Sequence, residues 1–176
     1  MAKKGSGAGT PALVQLERAG IPHQVHHFEH QAGIQHFGLE AAEALGVDPA
    51  RVFKTLVATS DRGFAVAIVA ADRQVQMKAL AAALGAKRCE LAAVPDAERI
   101  TGYVRGGVSP FGQKKLLPTV IDEQAFSHDT IFVSGGRRGL DIELAPQALL
   151  DALGAIRADV AAERGPSGSG GRGSVA

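Results

Sequence analysis

The sequence holds one cysteine, one tyrosine and no tryptophan in 176 residues. A single thiol, Cys89, cannot close a disulfide within the chain or build a thiolate zinc site alone. Lys87 and Arg88 stand near enough in sequence to lower its pKa, but no base partner is readable, and a half-buried strand cysteine is the plainer reading. With aromatics this scarce, a platform for stacking successive bases would rest on seven Phe and six His, which argues against a general single-strand binder. No apolar run approaches the roughly 18 residues of a membrane span, and MAKKGSGAG at the start is basic with no apolar segment behind it. No membrane association is expected, and the expected location is the cytoplasm. Neither a G-x-G-x-x-G opening a helix after the first strand nor a G-x-x-x-x-G-K-[ST] phosphate loop occurs, which disfavours a dinucleotide fold and a nucleotide triphosphatase.

Glycine, in contrast, is plentiful and unevenly placed. Of 22 glycines, three fall in residues 1–9 and five in 165–176 (GPSGSGGRGSVA), compositions expected of tails that cannot offset chain entropy. The folded domain is therefore expected over 10–164, where seven of the remaining fourteen glycines crowd into 102–139. Without the tails the balance is sixteen basic against eighteen acidic residues, a net −2 in place of +1, so bulk charge indicates no strongly basic nucleic-acid surface. Three basic pairs remain, Lys87-Arg88, Lys114-Lys115 and Arg137-Arg138, and solvated surface is their plain reading.

Helix punctuation is clear. Thr10 as N-cap, Pro11 at the first helical position, Leu13 and Leu16 on one face and Gly20 as stop predict a first helix. Leu39, Ala42 and Leu45 before Gly46 predict a second, and Asp48-Pro49 one further turn. Met77–Leu84 before Gly85, a short helix over 95–101, and Pro146–Leu153 before Gly154 complete the set. Strands are expected at about 23–28, 54–60, 64–71, 87–91, within LLPTVID, and at 130–136 and 139–144. The runs 54–60 and 64–71, joined through Asp61-Arg62-Gly63, read as a hairpin whose second strand is central and covered on both faces. The class is α/β with a mixed sheet, and no internal repeat is present.

Two features could carry chemistry. Lys54, in V-F-K-T-L-V, places a cation at a strand start, where it would meet a phosphate or a polarised carbonyl; the alternative is an edge-strand lysine reaching to water. The segments 106–114 (GGVSPFGQK) and 134–144 (SGGRRGLDIEL) could aim backbone N–H groups, with Ser109, Ser134 and Asp141, at one anion or carbonyl. Their alternative is a pair of ordinary turns. Histidines 23, 26, 27, 30 and 36 lack supporting cysteines or a ligand spacing, so no metal is expected, and the serines lack a nucleophile-elbow context.

F-G-L-E at 37–40, V-F-K-T-L-V at 52–57, T-G-Y-V-R-G-G-V-S-P-F-G-Q-K-K at 101–115, L-P-T-V-I-D at 117–122 and V-S-G-G-R-R-G-L-D-I-E-L at 133–144 resemble the YbaK family of bacterial Cys-tRNA(Pro) deacylases. These are free-standing relatives of the editing domain inserted in prolyl-tRNA synthetase, and the resemblance runs from about residue 10 to 160. It implies a mixed, largely antiparallel sheet or partial barrel surrounded by helices. It implies Lys54, Gly107 and Asp141 as catalytic residues, and Phe28, His30, Phe37, Thr55, Ser109 and Ser134 as substrate-binding residues. The chain departs from the pattern at His27-Phe28-Glu29-His30, where some members carry a Tyr at the position of Phe28.

The resemblance further implies a metal- and cofactor-free enzyme acting on the acceptor end of tRNA(Pro) carrying Cys, with prolyl-tRNA synthetase as partner and a monomer as the expected state. Catalysis would be substrate-assisted, the cysteinyl thiol attacking its own ester, so that the enzyme is a hydrolase or, for its cyclising step, a lyase. Two alternatives stay open: a deacylase for Ala or another small residue, and a module that binds aminoacyl-tRNA or a small ligand without cutting it.

Overall fold

The computed structural model describes residues 9–163; the expected tails, apart from Gly9, lie outside the described residues, as does residue 164. The elements, in chain order, are α1 (Pro11–Ala19), β1 (Gln24–His27), α2 (Phe37–Leu45), β2 (Phe53–Ser60), β3 (Gly63–Ala70), β4 (Arg73–Val75), α3 (Met77–Leu84), β5 (Cys89–Leu91), α4 (Val94–Thr101), β6 (Thr119–Asp122), β7 (Ile131–Arg137), β8 (Leu140–Leu144), α5 (Pro146–Leu153), β9 (Ile156–Ala158) and β10 (Ala161–Glu163). Short 3-10 turns at Pro49–Arg51 and Glu123–Ser127 lead into β2 and out of β6.

The helix boundaries follow the punctuation. Thr10 Oγ1 accepts from Leu13 N at 3.3 Å, and Gly20, Gly46, Gly85, Gly102 and Gly154 each close a helix in the left-handed region. The same Thr10 hydroxyl donates to Gly135 O, which ties the start of α1 to β7.

A five-stranded sheet has the order β5-β2-β3-β6-β9, a three-stranded one β1-β8-β7, and β10 pairs with β4. Pairing is antiparallel except for β3 with β6 and β6 with β9. The mixed, largely antiparallel sheet is thus present. The β2–β3 hairpin is tighter than expected: Gly63 already pairs with Ser60, which leaves Asp61-Arg62 as the loop. β3 is central and covered on both faces. Its Val66, Ile68 and Ala70 join a core with α1, β7, β8 and α5, while Ala67 and Val69 join a second with Leu80 of α3.

A third, smaller core positions the site. Ala41 and Ala42 of α2 pack with Val52, Ala71 and Phe132, and Val52 makes a lone parallel bridge to Phe132. That bridge brings the start of β2 against the three-stranded sheet, with α2 alongside.

Candidate functional site

Where these elements meet, a cleft encloses about 900 Å³ of space, part of it open to solvent. Its lining includes Phe28, Phe37, Lys54, Thr55, Ser134 and Asp141, six of the nine residues singled out from the sequence. They come from four separated chain segments. β2 pairs with β3 along its full length but with β5 only over Ala58–Ser60, so Lys54 lies where the other side of β2 faces the cleft instead of a sheet neighbour. Thr55 Oγ1, next along β2, is a buried oxygen with no hydrogen-bond partner among the described residues. A buried orphan hydroxyl carries a desolvation cost.

Ser134 and Asp141 are direct cross-strand partners on β7 and β8. The register then slips over Gly135-Gly136, a bulge that lets Ser134 Oγ accept from Gly136 N at 3.1 Å and turns the next residues toward the cleft mouth. Asp141 is 7% exposed, and burial pushes its carboxyl up to about 7. Two residues on, and on the same face of β8, Glu143 is shifted the opposite way. It accepts from Thr130 Oγ1 at 2.5 Å and faces His26 at 3.0 Å and Arg51 at 3.4 Å, contacts that hold its carboxyl below the ordinary glutamate range. One strand thus presents a carboxyl poised near neutrality beside one kept ionised.

Three candidate residues do not line the cleft. His30 stands behind Phe37, with ring centroids 5.5 Å apart, and its Nδ1 is 2.6 Å from Glu40 Oε1. Ser109 is fully buried, its Oγ accepting from Phe111 N at 3.3 Å and its carbonyl from Gln113 Nε2 at 2.9 Å. Gly107 donates its N–H to Val104 O at 2.8 Å, and a Cβ there would lie 2.7 Å from Arg137 Cα. Its glycine character serves a close backbone approach between the loop and β7.

Sequence reasoning missed the cleft mouth. Arg138 was readable only as half of a basic pair and Arg105 not at all, yet their guanidinium carbons lie 4.8 and 5.8 Å from the centre of the Phe37 ring. No local signal marks this, because the contact joins the start of α2 to two loops distant in sequence. The histidines disperse: His23 bonds Ile21 O, His26 faces Glu143 and His30 faces Glu40. Among the described residues no three His, Cys, Asp or Glu side chains converge as metal ligands, and no helix is long and apolar enough to cross a membrane.

A concave cleft that is largely apolar with a few convergent polar groups is the usual form of a small-molecule site. The family model of the aminoacyl-tRNA editing domain matches residues 38–152, well over half of the chain, and the protein belongs to that family. Among its relatives is EbsC of Enterococcus faecalis, a proposed Cys-tRNA(Pro)/Cys-tRNA(Cys) deacylase, 40% identical over 152 residues that cover 85% of this chain and 92% of EbsC. A proline–tRNA ligase of Desulforamulus reducens is 35% identical over 77 residues, 44% of this chain and 14% of the ligase. The crystal structure of a proposed trans-editing enzyme for prolyl-tRNA synthetase shares the fold with a TM-score of 0.75 at 24% identity, covering 90% of this chain and 100% of that one.

Proposed function

We propose that the protein is a trans-editing deacylase that clears cysteine mischarged onto tRNA(Pro), with the substrate's own thiol as nucleophile. The observation that carries this reading is the likeness to EbsC over nearly the full length of both chains. The departure at Phe28 leaves the cleft aromatic there while removing a phenol.

In the proposed reaction the cysteinyl thiol loses its proton and its sulfur attacks the ester carbonyl carbon. The bond from that carbon to the ribose oxygen breaks, and the proton ends on that oxygen. tRNA leaves with a free hydroxyl, and the amino acid leaves as a four-membered thiolactone that water opens to cysteine. Ring closure is intramolecular, so orientation in the cleft supplies most of what a protein nucleophile would otherwise provide. That accords with a site where no catalytic triad was readable.

The chain's own residues would position and polarise. Lys54 meets the charge developing on the ester oxygen, while the Gly107 N–H is bonded to Val104 O and its loop packs against β7. Asp141, close to half protonated near neutral pH, can donate to or accept from the substrate's amino or thiol group. Thr55 Oγ1 gains a partner when substrate enters, and Phe28 and Phe37 flank the aminoacyl group. Such an enzyme works in the cytoplasm, on the acceptor end of tRNA(Pro), with prolyl-tRNA synthetase as its source of substrate.

The test is release of free cysteine from Cys-tRNA(Pro) with enzyme limiting. Many turnovers per protein are expected; binding of the charged tRNA without release would leave a binding module.

A further inference from the structure

The mouth of the cleft is built around Phe37, and the mechanism above gives no task to the two arginines set against that ring. Phe37 opens α2, and Arg138 lies in the β7–β8 turn with its guanidinium carbon 4.8 Å from the ring centre. Arg138 Nε donates to Arg105 O at 2.8 Å, which fixes the guanidinium against the ring, and Arg138 is exposed and lines the cleft. Arg105 adds a second guanidinium 5.8 Å from the same ring. Between the two arginines the loop runs hard against Phe37: a Cβ on Gly106 would come within 2.6 Å of Cδ1 and Cε1. Three segments thus hold two cations against one aromatic ring beside the entrance. A solvated surface pair needs none of this.

Two carboxylates near the mouth are already engaged in hydrogen bonds, Glu98 Oε2 accepting from Arg105 N at 3.2 Å. The other, Glu40, lines the cleft, and His30 Nδ1 and Gln31 N approach its oxygens at 2.6 and 3.0 Å. Deeper in, burial pushes the Asp141 carboxyl up to about 7, which weakens the negative charge beneath the two arginines near neutral pH.

We propose that Arg138, seated on Phe37 and braced by Arg105, is the phosphodiester-binding residue of the site and grips the last internucleotide phosphate of the tRNA while the ester lies deeper, beside Lys54. The assignment rests on the aminoacyl-tRNA reading above and adds to it a phosphate subsite. A flat guanidinium with free edge donors suits the two non-bridging oxygens of a phosphodiester, and stacking limits the entropy lost on binding.

The experiment compares two 5′-fluorescein acceptor-stem minihelices ending in CCA, uncharged, one natural and one with a neutral methylphosphonate at the last linkage. Affinities are read by anisotropy for the wild type, Arg138→Ala and Arg138→Lys. The wild type is expected to bind the neutral analogue about tenfold more weakly, a typical loss for one charge-assisted contact. Arg138→Ala is expected to bind the two within twofold of each other, and Arg138→Lys to fall between. A general loss of fold weakens both ligands alike and leaves the ratio at its wild-type value, so the ratio isolates the contact. A wild type that does not discriminate, or an Arg138→Ala ratio equal to the wild-type ratio, overturns the assignment. The readout needs no turnover: discrimination without cysteine release would sink the deacylase reading and leave the phosphate subsite standing.

Discussion

At the scale of single residues the cleft turns on two groups with opposite demands. Asp141 is ionised in the unfolded chain above about pH 4 and in the folded protein only above about pH 7. Between those values the folded state keeps a proton that the unfolded state has lost, so this group favours folding at low pH and withdraws that support as pH rises, with no further change above about 7. Asp141→Asn should therefore gain stability relative to wild type across pH 4 to 7, by up to about 4 kcal/mol for a shift near three units, measured by urea denaturation at pH 4.5 and 8. A constant difference between the two proteins would mean that Asp141 titrates normally. Lys54 belongs to the proposed reaction. Lys54→Ala should lower single-turnover deacylation by roughly 100-fold, the scale of one lost charge-stabilising group, with an unchanged circular dichroism melt. Lys54 and Asp141 were both legible as sequence motifs, whereas Arg105 and Arg138 were not, because an arginine's role here is set by an aromatic ring more than sixty residues away.

Among the elements, legibility followed length and punctuation. α1, α3 and α5 begin and end where Thr10-Pro11 and Gly20, Met77 and Gly85, and Pro146 and Gly154 say they should. β4, β9 and β10 have three residues each, too few to show alternation, and β10 finds β4 across more than eighty residues of chain. The Gly-rich loop was visible as a composition but not as a shape. Its form comes from tertiary bonds: Tyr103 Oη donates to Phe111 O at 2.6 Å, Gly112 N to Gln15 Oε1 at 2.5 Å and Lys114 N to Thr101 O at 3.0 Å. Loop and β7 touch backbone to backbone at Gly107, so Gly107→Ala must push them apart. It should cost about 1–3 kcal/mol by thermal denaturation, the range for overpacking, and lower activity by displacing the cleft wall. Stability within 0.5 kcal/mol of wild type, about the scatter of surface substitutions, would show that the loop yields freely.

Across the whole molecule, charge sets how tRNA can be held. Residues 10–164 carry a net −2, and among the described residues Lys54 and Arg138 line the cleft, with Arg105 beside its mouth against Phe37. Each phosphate neutralised contributes a slope of about −0.9 to log K against log salt on duplex and less on single strands, so the slope should be no steeper than about −3. Tight, steeply salt-dependent binding, followed by anisotropy between 50 and 200 mM salt, would reveal a larger basic surface. A shallow grip suits a protein that takes its substrate from a partner and discriminates by the aminoacyl group. The central claim is that the substrate's thiol performs the attack, and it is tested most directly by deacylation of tRNA(Pro) charged in turn with Cys, Ser, Ala and Pro. Cysteine alone should be released, with Ser-tRNA(Pro), one atom different, persisting beside Ala- and Pro-tRNA(Pro); release of Ser or Ala at the rate of Cys would contradict it.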